Sequence, residues 1–285
     1  MKPAAFEYHA PRSLDEALAL LAKHGGDGRV LAGGQSLVPA MNFRLARPAV
    51  LIDINRIDEI SGISESADEL TIGTLTRHVT FEEPVTTGPL GRLLPEIAHN
   101  IAHLPIRVRG TFGGSLAHAD PAAEWCTLAL LLDARIAARS SAGDRSIAAA
   151  DFFRTIFTTD LREGEMISAI NLPKLDARWR CGFVEFNRRA GDFAIVSAAV
   201  ALRVEAERIA EARIALGGVV DKPVRAQAAE KALIGEIVGE AAFRAAGDVA
   251  SRSFEPFGDI HGTVEYKAEL VAVMTRRALA RAMVE

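Results

Sequence analysis

Apolar positions near the start of the chain recur every three or four residues, as they do on one face of a helix. Leu14, Leu18 and Leu21 form this stripe. Ser13 and Glu16 stand at the positions of a capping box, in which the serine oxygen accepts from the helix and the glutamate reaches back. The pattern predicts a helix that begins directly after Ser13.

The following segments predict an α/β unit. Residues 29–32 are apolar and of strand length, and they lead straight into Gly33-Gly34. A short helix and a second strand over residues 49–54, which ends at Asn55, complete the pattern. We therefore expect helix, strand, glycine loop, short helix and strand within about 55 residues.

The middle of the chain combines strands and helices without a regular alternation. Residues 104–120 have no clear periodicity and are rich in glycine and basic residues. The elements predicted here are strands over 69–73, 134–139 and 166–172 and helices over 94–102 and 122–132. Pro95 is expected in the first turn of its helix, where a proline is tolerated.

A different unit is expected near the C-terminus. Three strands are close enough in sequence to form an antiparallel meander, and three helices follow. The predicted strands cover 182–187, 193–204 and 208–216, and the predicted helices cover 225–233, 240–250 and 264–282. Residues 188–193 are interpreted as a hairpin turn with Gly191-Asp192 at its tip.

The length of the chain favours more than one domain. With 285 residues it exceeds the size at which single hydrophobic cores stop growing. The polar segment 175–180 is the candidate boundary, and we divide the chain at Asp176. The expected units are an N-terminal domain, residues 1–176, with subdomains of about 1–56 and 57–176, and a C-terminal domain, residues 177–285.

Composition excludes several classes of function. The formal charge is −4, and phosphate binding needs a concentrated basic face, so no nucleic acid partner is expected. The 2 cysteines, Cys126 and Cys181, cannot supply the four thiolates of an iron–sulfur cluster. The N-terminus lacks the apolar core of a signal peptide, and the most apolar stretch, 127–132, is too short for a transmembrane segment. We expect a soluble, cytoplasmic protein.

Two glycine loops carry the strongest chemical signal. The first covers residues 32–37 and the second covers 110–116, and in each a Gly-Gly pair is followed by a serine within two residues. Paired glycines let backbone amides turn toward an anion without a Cβ clash. The two loops could hold the two phosphates of a dinucleotide from opposite sides; the alternative is two unrelated tight turns. Neither has the spacing of a Rossmann or P-loop motif.

Two carboxylates follow the second loop. Asp120 is expected to cap the next helix, with Pro121 at the first helical position. Glu124 lies in the first turn, where the helix dipole favours a carboxylate. It would also lie beside the loop, able to accept hydrogen bonds from ribose hydroxyls, and the sequence leaves both interpretations open.

Other polar groups give weaker signals. His99 and His103 have the spacing of a metal pair, but no third ligand completes a zinc motif, which favours a surface role. His118 is equally compatible with ligand contact and with a structural role. Gly217-Gly218 has no hydroxyl or carboxylate constellation near it in the sequence, and we interpret it as a turn.

The motifs together resemble one protein family. Residues 32–36, 110–124, 185–194 and 222–226, with Glu230, are similar to the FAD-binding medium subunit of molybdenum hydroxylases. These are the enzymes of the carbon monoxide dehydrogenase and xanthine dehydrogenase type. The resemblance extends over nearly the whole chain, and the two spaced glycine motifs are its most specific part.

The resemblance implies an α+β protein. An FAD-binding domain of the PCMH or vanillyl-alcohol-oxidase type, with two α/β subdomains, would precede a smaller α+β domain with an antiparallel three-stranded sheet and helices. Both loops would bind the FAD pyrophosphate, mostly through main-chain amides, while Glu124 contacts the adenosine ribose and Ile167 the flavin. The implied cofactor-binding residues are Arg29, Val30, Leu31, Ala32, Gly33, Gly34, Gln35, Ser36, Leu37, Thr111, Gly114, Ser115, Asp120, Glu124 and Ile167.

The implied function is electron transfer. The chain would take electrons from a small [2Fe–2S] partner subunit and pass them to an external acceptor, while a large partner subunit with the molybdenum cofactor oxidises the substrate. The expected assembly is a dimer of heterotrimers, and no catalytic or metal-ligating residue is expected in this chain. Two alternatives stay open: a stand-alone flavin-dependent oxidoreductase of the same fold, and a cofactor-free assembly subunit.

Overall fold

The computed structural model describes residues 2–284, and its N-terminal part is built on a three-stranded parallel sheet. The elements are β1 (Glu7–His9), α1 (Leu14–His24), β2 (Gly28–Leu31), α2 (Leu37–Asn42) and β3 (Val50–Asp53). β3 is central, and both β1 and β2 pair with it in parallel. The predicted α/β unit is confirmed, and β1 is an additional strand at its edge.

The first helix follows its local signals. Ser13 Oγ accepts from the amide of Glu16 at 3.2 Å, as predicted. The Glu16 carboxylate reaches back to the amide of Arg12 at 2.9 Å, one residue before the expected capping-box donor. Leu18 is buried in one cluster with Ile52 of β3, so α1 covers a face of the sheet.

The middle of the chain is built on a second sheet. Its elements are β4 (Ile63–Glu65), β5 (Glu69–Gly73), α3 (Gly88–Asn100), α4 (Leu104–Arg107), α5 (Phe112–His118), α6 (Glu124–Leu131), β6 (Arg135–Ser140), β7 (Gly143–Ala148), α7 (Ala149–Phe152), β8 (Phe153–Thr155), β9 (Thr158–Thr159) and β10 (Met166–Pro173). The sheet order is β4-β5-β10-β6-β7, and every pairing is antiparallel. The three predicted strands are β5, β6 and β10.

The helix predicted over 94–102 was placed too late in the chain. α3 begins at Gly88, with Pro89 in its first turn and Pro95 in its interior. A proline inside a helix removes an amide and one hydrogen bond. Leu90 and Leu94 offset that loss because they are buried in the central core, and this packing stabilises the helix through the proline.

The segment 104–120 was expected to lack periodic structure, but it forms α4 and α5. The second glycine loop is therefore the start of a helix: Thr111 is the N-cap of α5, and Gly113 and Gly114 lie in its first turn. Glycine conceals a helical pattern because it has no side chain to contribute to a buried stripe. Because the segment is helical, the amides of Gly113, Gly114 and Ser115 are hydrogen-bonded within the protein.

The C-terminal part is built on a third sheet, which is antiparallel with the order β11-β12-β13-β14. The elements are β11 (Trp179–Phe186), β12 (Val196–Glu205), β13 (Arg208–Gly217), β14 (Val224–Arg225), α8 (Gln227–Leu233), α9 (Glu240–Arg252) and α10 (Val264–Ala282). The predicted meander is confirmed, and β14 adds a short fourth strand to the three expected.

The turn between β11 and β12 is longer than predicted. The strand expected from residue 193 begins at Val196, because the turn is held by other parts of the chain. A Cβ on Gly191 would lie 2.5 Å from Nδ1 of His103, and Arg188 donates to the carbonyl of Ile260 at 2.9 Å. Gly191 has a φ of +87°, as a turn at this position requires.

The third sheet joins two cores. Val200 and Leu202 lie in one cluster with residues of α9 and α10, whereas Ala199 and Ala201 lie in the cluster of the middle region. This alternation is that of a strand buried on both faces. Among residues 2–284, no helix combines the length and the apolar character needed to cross a membrane.

α6 lies between the middle region and the third sheet, and all of its residues are buried. It begins at Glu124 with Ala123 as its N-cap, so the predicted roles of Asp120 as cap and Pro121 as first helical residue were wrong. Asp120 Oδ1 instead accepts from the amide of Ala122 at 2.9 Å and closes a turn. This turn aims the start of α6 toward the third sheet.

Candidate functional site

The two glycine segments meet in the folded chain. A Cβ on Gly33 would overlap the carbonyl oxygen of Arg109 and lie 2.7 Å from the Cα of Gly110. A Cβ on Gly114 would lie 3.6 Å from the Cβ of Ala32. Only glycine fits at position 33, because the backbone of the second segment occupies the space of a side chain.

The first loop presents unpaired backbone donors. It leaves the carboxyl end of β2, and Gly34 has a φ of +73°, which favours glycine. Within the described chain, the amides of Gly33, Gly34, Gln35 and Ser36 make no hydrogen bond. Consecutive free amides with a left-handed residue among them form a concavity that binds anions. The first loop therefore fits a pyrophosphate.

The second segment does not present a second set of free amides, because its backbone amides are hydrogen-bonded within the protein; we call Gly113, Gly114 and Ser115 the glycine wall. The amide of Gly113 donates to the Thr74 carbonyl at 3.0 Å, and that of Gly114 donates to Thr111 Oγ1 at 3.1 Å. The amide of Ser115 donates to the Thr111 carbonyl at 3.0 Å. This differs from the expectation that both loops bind mainly through amides. What the segment offers a ligand is the hydroxyl group of the half-buried Ser115.

A polar network that the sequence did not reveal joins the two segments. Asn55 Nδ2 donates to the Ala32 carbonyl at 2.7 Å, and Arg77 Nη2 donates to Asn55 Oδ1 at 2.7 Å. Arg77 Nη1 also donates to the Arg109 carbonyl. Burial lowers the pKa of Arg77, and the Arg109 charge acts in the same direction. Asn55 could have been found as a polar residue at the end of a predicted strand; Arg77 had no such signal.

Glu124 is buried at the N-terminus of α6. Only 6% of its surface is exposed, and burial raises its pKa to about 7, with the Asp120 charge acting in the same direction. The carboxyl group is therefore poised to gain or lose a proton near neutral pH. Its predicted contact with a ribose stays a prediction, as does the one for the half-buried Asp120.

Gly217 ends β13 and Gly218 has a φ of +75°, so the chain turns at the third glycine pair as interpreted, but hydroxyl groups that are distant in the sequence lie beside it. Glu185, Ser197 and Gly217 are directly paired across β11, β12 and β13, so they share one face of the sheet. A Cβ on Gly217 would lie 2.5 Å from both Ser197 Oγ and Thr127 Oγ1 of α6. The sheet therefore presents a carboxylate and a hydroxyl to the helix that begins at Glu124.

This contact contains unsatisfied polar atoms. Among residues 2–284, Glu185 Oε2 and Ser197 Oγ are buried without a hydrogen-bond partner. Burial raises the pKa of Glu185 to about 8, and the charge of Glu124 acts in the same direction. Two carboxyl groups that disfavour each other's ionisation thus lie at the junction of α6 and the third sheet.

The remaining predicted residues lie in several environments. Arg29 is exposed on β2. Burial lowers the pKa of the neighbouring His118, and the charge of Arg29 acts in the same direction, whereas the charge of Asp120 acts in the opposite direction. Ile167 is 4% exposed on β10, where the pairing with β6 is irregular, and its flavin contact stays a prediction. Val30 and Leu31 of β2 are partly exposed, and so are Ala32, Gly33, Gly34, Gln35 and Leu37 of the first loop, whereas Ser36 is fully exposed.

His99 and His103, whose spacing in the sequence is that of a metal pair, make separate contacts. His99 Nδ1 lies 2.7 Å from the Pro95 carbonyl oxygen, whereas His103 packs against Gly191. Both cysteines are free thiols, and burial raises the pKa of Cys181 to about 12. Neither cysteine therefore takes the form of a metal-binding thiolate.

The fold and the facing glycine segments define an FAD-type dinucleotide-binding protein: an anion-binding loop after a parallel strand faces a glycine wall on an antiparallel domain. Residues 4–175 match the model of the FAD binding domain in molybdopterin dehydrogenase, and residues 182–282 match that of the CO dehydrogenase flavoprotein C-terminal domain. The chain belongs to this family of FAD-binding subunits of molybdenum-containing dehydrogenases.

Individual relatives match over nearly their whole length. The 6-hydroxypseudooxynicotine dehydrogenase complex subunit alpha of Paenarthrobacter nicotinovorans is 39% identical, over 99% of this chain and 96% of the relative. The caffeine dehydrogenase subunit beta of Pseudomonas sp. (strain CBB1) is 38% identical, over 99% and 96%. The structure of a carbon monoxide dehydrogenase from Hydrogenophaga pseudoflava superposes with a TM-score of 0.95 at 38% identity, over 99% of this chain and 98% of that one.

Proposed function

We propose that this chain is the FAD-carrying electron-transfer subunit of a molybdenum hydroxylase, taking electrons from a [2Fe–2S] partner and delivering them to an external acceptor. The observation that carries the proposal is the run of free amides from Gly33 to Ser36, held against the glycine wall at Gly114. A neutral turn would have no need for such a donor set, whereas a pyrophosphate satisfies all of it.

The residues of the chain fit FAD in separate roles. The amides of Gly33 to Ser36 would bind the pyrophosphate, and Ser115 would add a hydroxyl donor. Thr111 would hold the wall in place as the cap of α5, while Glu124 would accept from the ribose once it is ionised. The full set of proposed FAD-binding residues is the one predicted from the sequence, which also includes Arg29, Asp120 and Ile167. Bound FAD would supply a carrier that collects electrons singly from the [2Fe–2S] partner and then passes them to the acceptor.

No residue of this chain is proposed as a catalytic acid or base. Burial, rather than a hydrogen-bonded proton path, raises the pKa of Glu124 to about 7 and that of Glu185 to about 8. The chain's work would be to bind and orient the cofactor.

The partners follow from what this chain lacks. With 2 cysteines, both free, it cannot ligate an iron–sulfur cluster. We propose a small subunit with [2Fe–2S] clusters and a large subunit with the molybdenum cofactor, assembled as a dimer of heterotrimers in the cytoplasm. We also retain the division of the chain at Asp176 as a proposal.

The relatives support a role that does not select the substrate. Their names refer to 6-hydroxypseudooxynicotine, caffeine and carbon monoxide, compounds that differ greatly in size, and the three relatives are all 36–39% identical to this chain. A subunit that bound the substrate would have to differ between them in the residues that line its pocket. Substrate choice is therefore assigned to the large partner.

Purification of the native complex tests this proposal. We expect one FAD per copy of this chain, together with molybdenum and iron in the same complex. The chain alone, loaded with FAD, should exchange electrons with a reduced iron–sulfur partner but should not oxidise the complex's substrate. Substrate oxidation by the FAD-loaded chain alone would favour the stand-alone oxidoreductase, and a native complex without flavin would favour the cofactor-free assembly subunit.

A further inference from the structure

Two histidines and a glutamate converge at the edge of the N-terminal sheet. Glu7 and His9 are two residues apart on β1, so their side chains share one face of the strand. His24 is the last residue of α1, and its ring centre lies 5.4 Å from that of His9. One ligand atom from each residue lies within 4.8 Å of the other two, which makes a three-point cluster from two separate elements.

The nitrogen atoms of this cluster are only partly satisfied by the protein. Nε2 of His9 and Nε2 of His24 are both buried. Nε2 of His9 lies 2.9 Å from the carboxylate oxygen Oε1 of Glu7 without the geometry of a hydrogen bond, and Nε2 of His24 has no hydrogen-bond partner in the part of the chain that the structure describes. Buried nitrogen atoms are normally hydrogen-bonded, so the His24 nitrogen in particular requires an explanation.

We propose that Glu7, His9 and His24 form a binding site for a divalent transition-metal cation of the zinc type. Two imidazole nitrogens and one carboxylate oxygen are a donor set that holds zinc with the fourth position open to water. Imidazole ligands select zinc and its transition-metal neighbours over magnesium and calcium. A single cation would be held by both imidazole nitrogens and by the Glu7 carboxylate that already lies beside His9.

The geometry requires only a small adjustment. Ligand atoms around a tetrahedral ion with bonds of about 2.0–2.1 Å lie about 3.4 Å apart, and the three atoms here are within 4.8 Å of one another. Rotation of side chains closes this difference, because the backbones are already placed. β1 is held by its pairing with β3, and α1 is packed on the same sheet.

The local electrostatics favour a cation. His24 stands at the C-terminal end of α1, where the unpaired carbonyl groups carry partial negative charge. A second carboxylate is close by: a Cβ on Gly25, the residue after His24, would lie 2.5 Å from Glu163 Oε1. Binding would therefore add a positive charge to a negatively polarised place.

The role that we assign to the ion is structural. It would link the edge strand β1 to the end of α1, a short distance before β2 and the first glycine loop. No step of electron transfer is routed through it, and the inference does not rest on the proposed FAD function. Sequence spacing did not reveal the site because His9 and His24 are separated by a helix.

Titration of the tag-free, metal-depleted full chain tests the site. We expect one zinc ion per chain and a higher melting temperature in zinc, and cobalt(II) should give the visible absorption of a low-coordinate site with nitrogen ligands. The variant His9→Gln/His24→Gln should lose affinity by at least about a hundredfold, and Glu7→Gln by about tenfold. His261→Gln, at an exposed histidine outside the cluster, is the matched control and should bind as the wild type does.

Two results overturn the proposal. One is the absence of a stoichiometric zinc site in the wild-type chain, and the other is a site that persists unchanged in the double variant. If the double variant does not fold, Glu7→Gln decides, because Glu7 is 58% exposed and its replacement leaves the packing intact. Unchanged zinc affinity and an unchanged cobalt spectrum in Glu7→Gln would then contradict the cluster.

Discussion

Trp125 Nε1 donates a hydrogen bond to Nδ1 of His78 over 2.9 Å, and both side chains are buried. Since Nδ1 accepts, the neutral imidazole carries its proton on Nε2. Burial lowers the pKa of His78 to about 4, and the charges of Arg77 and Arg107 act in the same direction. The ring also packs under Gly110, where a Cβ would lie 2.6 Å from Nε2. Trp125, which follows Glu124 in the sequence, thus orients the His78 ring that packs against the start of the second glycine segment.

We expect His78 to make unfolding depend on pH. An imidazole of the unfolded chain titrates near pH 6.5, whereas His78 stays neutral down to about pH 4 in the folded state. Between these values the unfolded chain binds more protons, so the free energy of unfolding falls as the pH drops from 6.5 to 4, by on the order of 3 kcal/mol. Urea titrations across this range measure the change.

The control for this prediction is His78→Gln, which keeps an acceptor for the indole but does not titrate. Between pH 6.5 and pH 4, the free energy of unfolding of this variant should fall by on the order of 3 kcal/mol less than that of the wild type. Parallel profiles for the variant and the wild type would show that His78 does not supply the pH dependence.

Gly33→Ala should weaken FAD binding without unfolding the chain. The added Cβ would overlap the Arg109 carbonyl and separate the two glycine segments. Overpacking of this kind costs about 1–3 kcal/mol, which corresponds to a roughly ten- to hundredfold higher dissociation constant for FAD. Quenching of flavin fluorescence measures the constant, and circular dichroism verifies the fold.

Gly26→Ala is the matched control for this substitution. No heavy atom lies within 4 Å of the added Cβ, and the residue has no left-handed φ. FAD affinity should therefore equal that of the wild type. Equal affinity in Gly33→Ala would refute the role of the close approach between the two segments.

Glu124→Gln should raise the stability of the apoprotein at alkaline pH while it lowers FAD affinity. The folded-state pKa of about 7 lies above the unfolded value of 4.5, so the wild-type free energy of unfolding falls as the pH rises from 4.5 to 7. The amide does not ionise, which removes a penalty on the order of 2–3 kcal/mol at pH 8. Thermal melts at pH 5 and pH 8 measure the difference.

If the Glu124 carboxylate accepts a hydrogen bond from the ribose, FAD affinity should depend on pH in the opposite direction from the free energy of unfolding. Wild-type affinity should then rise with pH through about 7, and Glu124→Gln should remove that rise. Glu83→Gln, at an exposed position, is the control and should change neither property. A pH-independent FAD affinity of the wild type would contradict the ribose contact.

Arg225→Met should destabilise the junction between β14 and α6. Arg225 Nε lies 2.6 Å from Glu230 Oε1, and Nη1 lies 3.0 Å from Asp133 Oδ1. Both Arg225 and Glu230 are more than four-fifths buried, so removal of one partner leaves a charge that costs about 2–4 kcal/mol in the free energy of unfolding. Urea unfolding measures the loss.

The exposed pair Arg244 and Glu240 provides the comparison. Their side chains are 61% and 75% exposed, so Arg244→Met should cost about 0.5 kcal/mol or less. Similar costs for Arg244→Met and Arg225→Met would show that burial does not strengthen the Arg225 pair.

Local signals were sufficient for part of the fold and of the site. The serine cap and apolar stripe of α1 act within a few residues, and so does the loop from Gly33 to Ser36, which follows its strand directly. The sequence did not predict the start of α3, because burial of this helix in the core stabilises it. It also did not predict that Gly113 is helical, because a tertiary hydrogen bond to the Thr74 carbonyl fixes this residue.

The sequence by itself determined the order of the longer helices and strands, the paired glycine motifs and, through them, the family. These features depend on periodicity, capping and the absence of a Cβ, which are properties of short segments. Only the tertiary structure decided that Gly33 touches Gly110, that Glu124 faces Glu185 and that His9 meets His24. Each of these pairs joins residues from separate elements, and their distance is set by how the sheets and helices pack rather than by spacing along the chain.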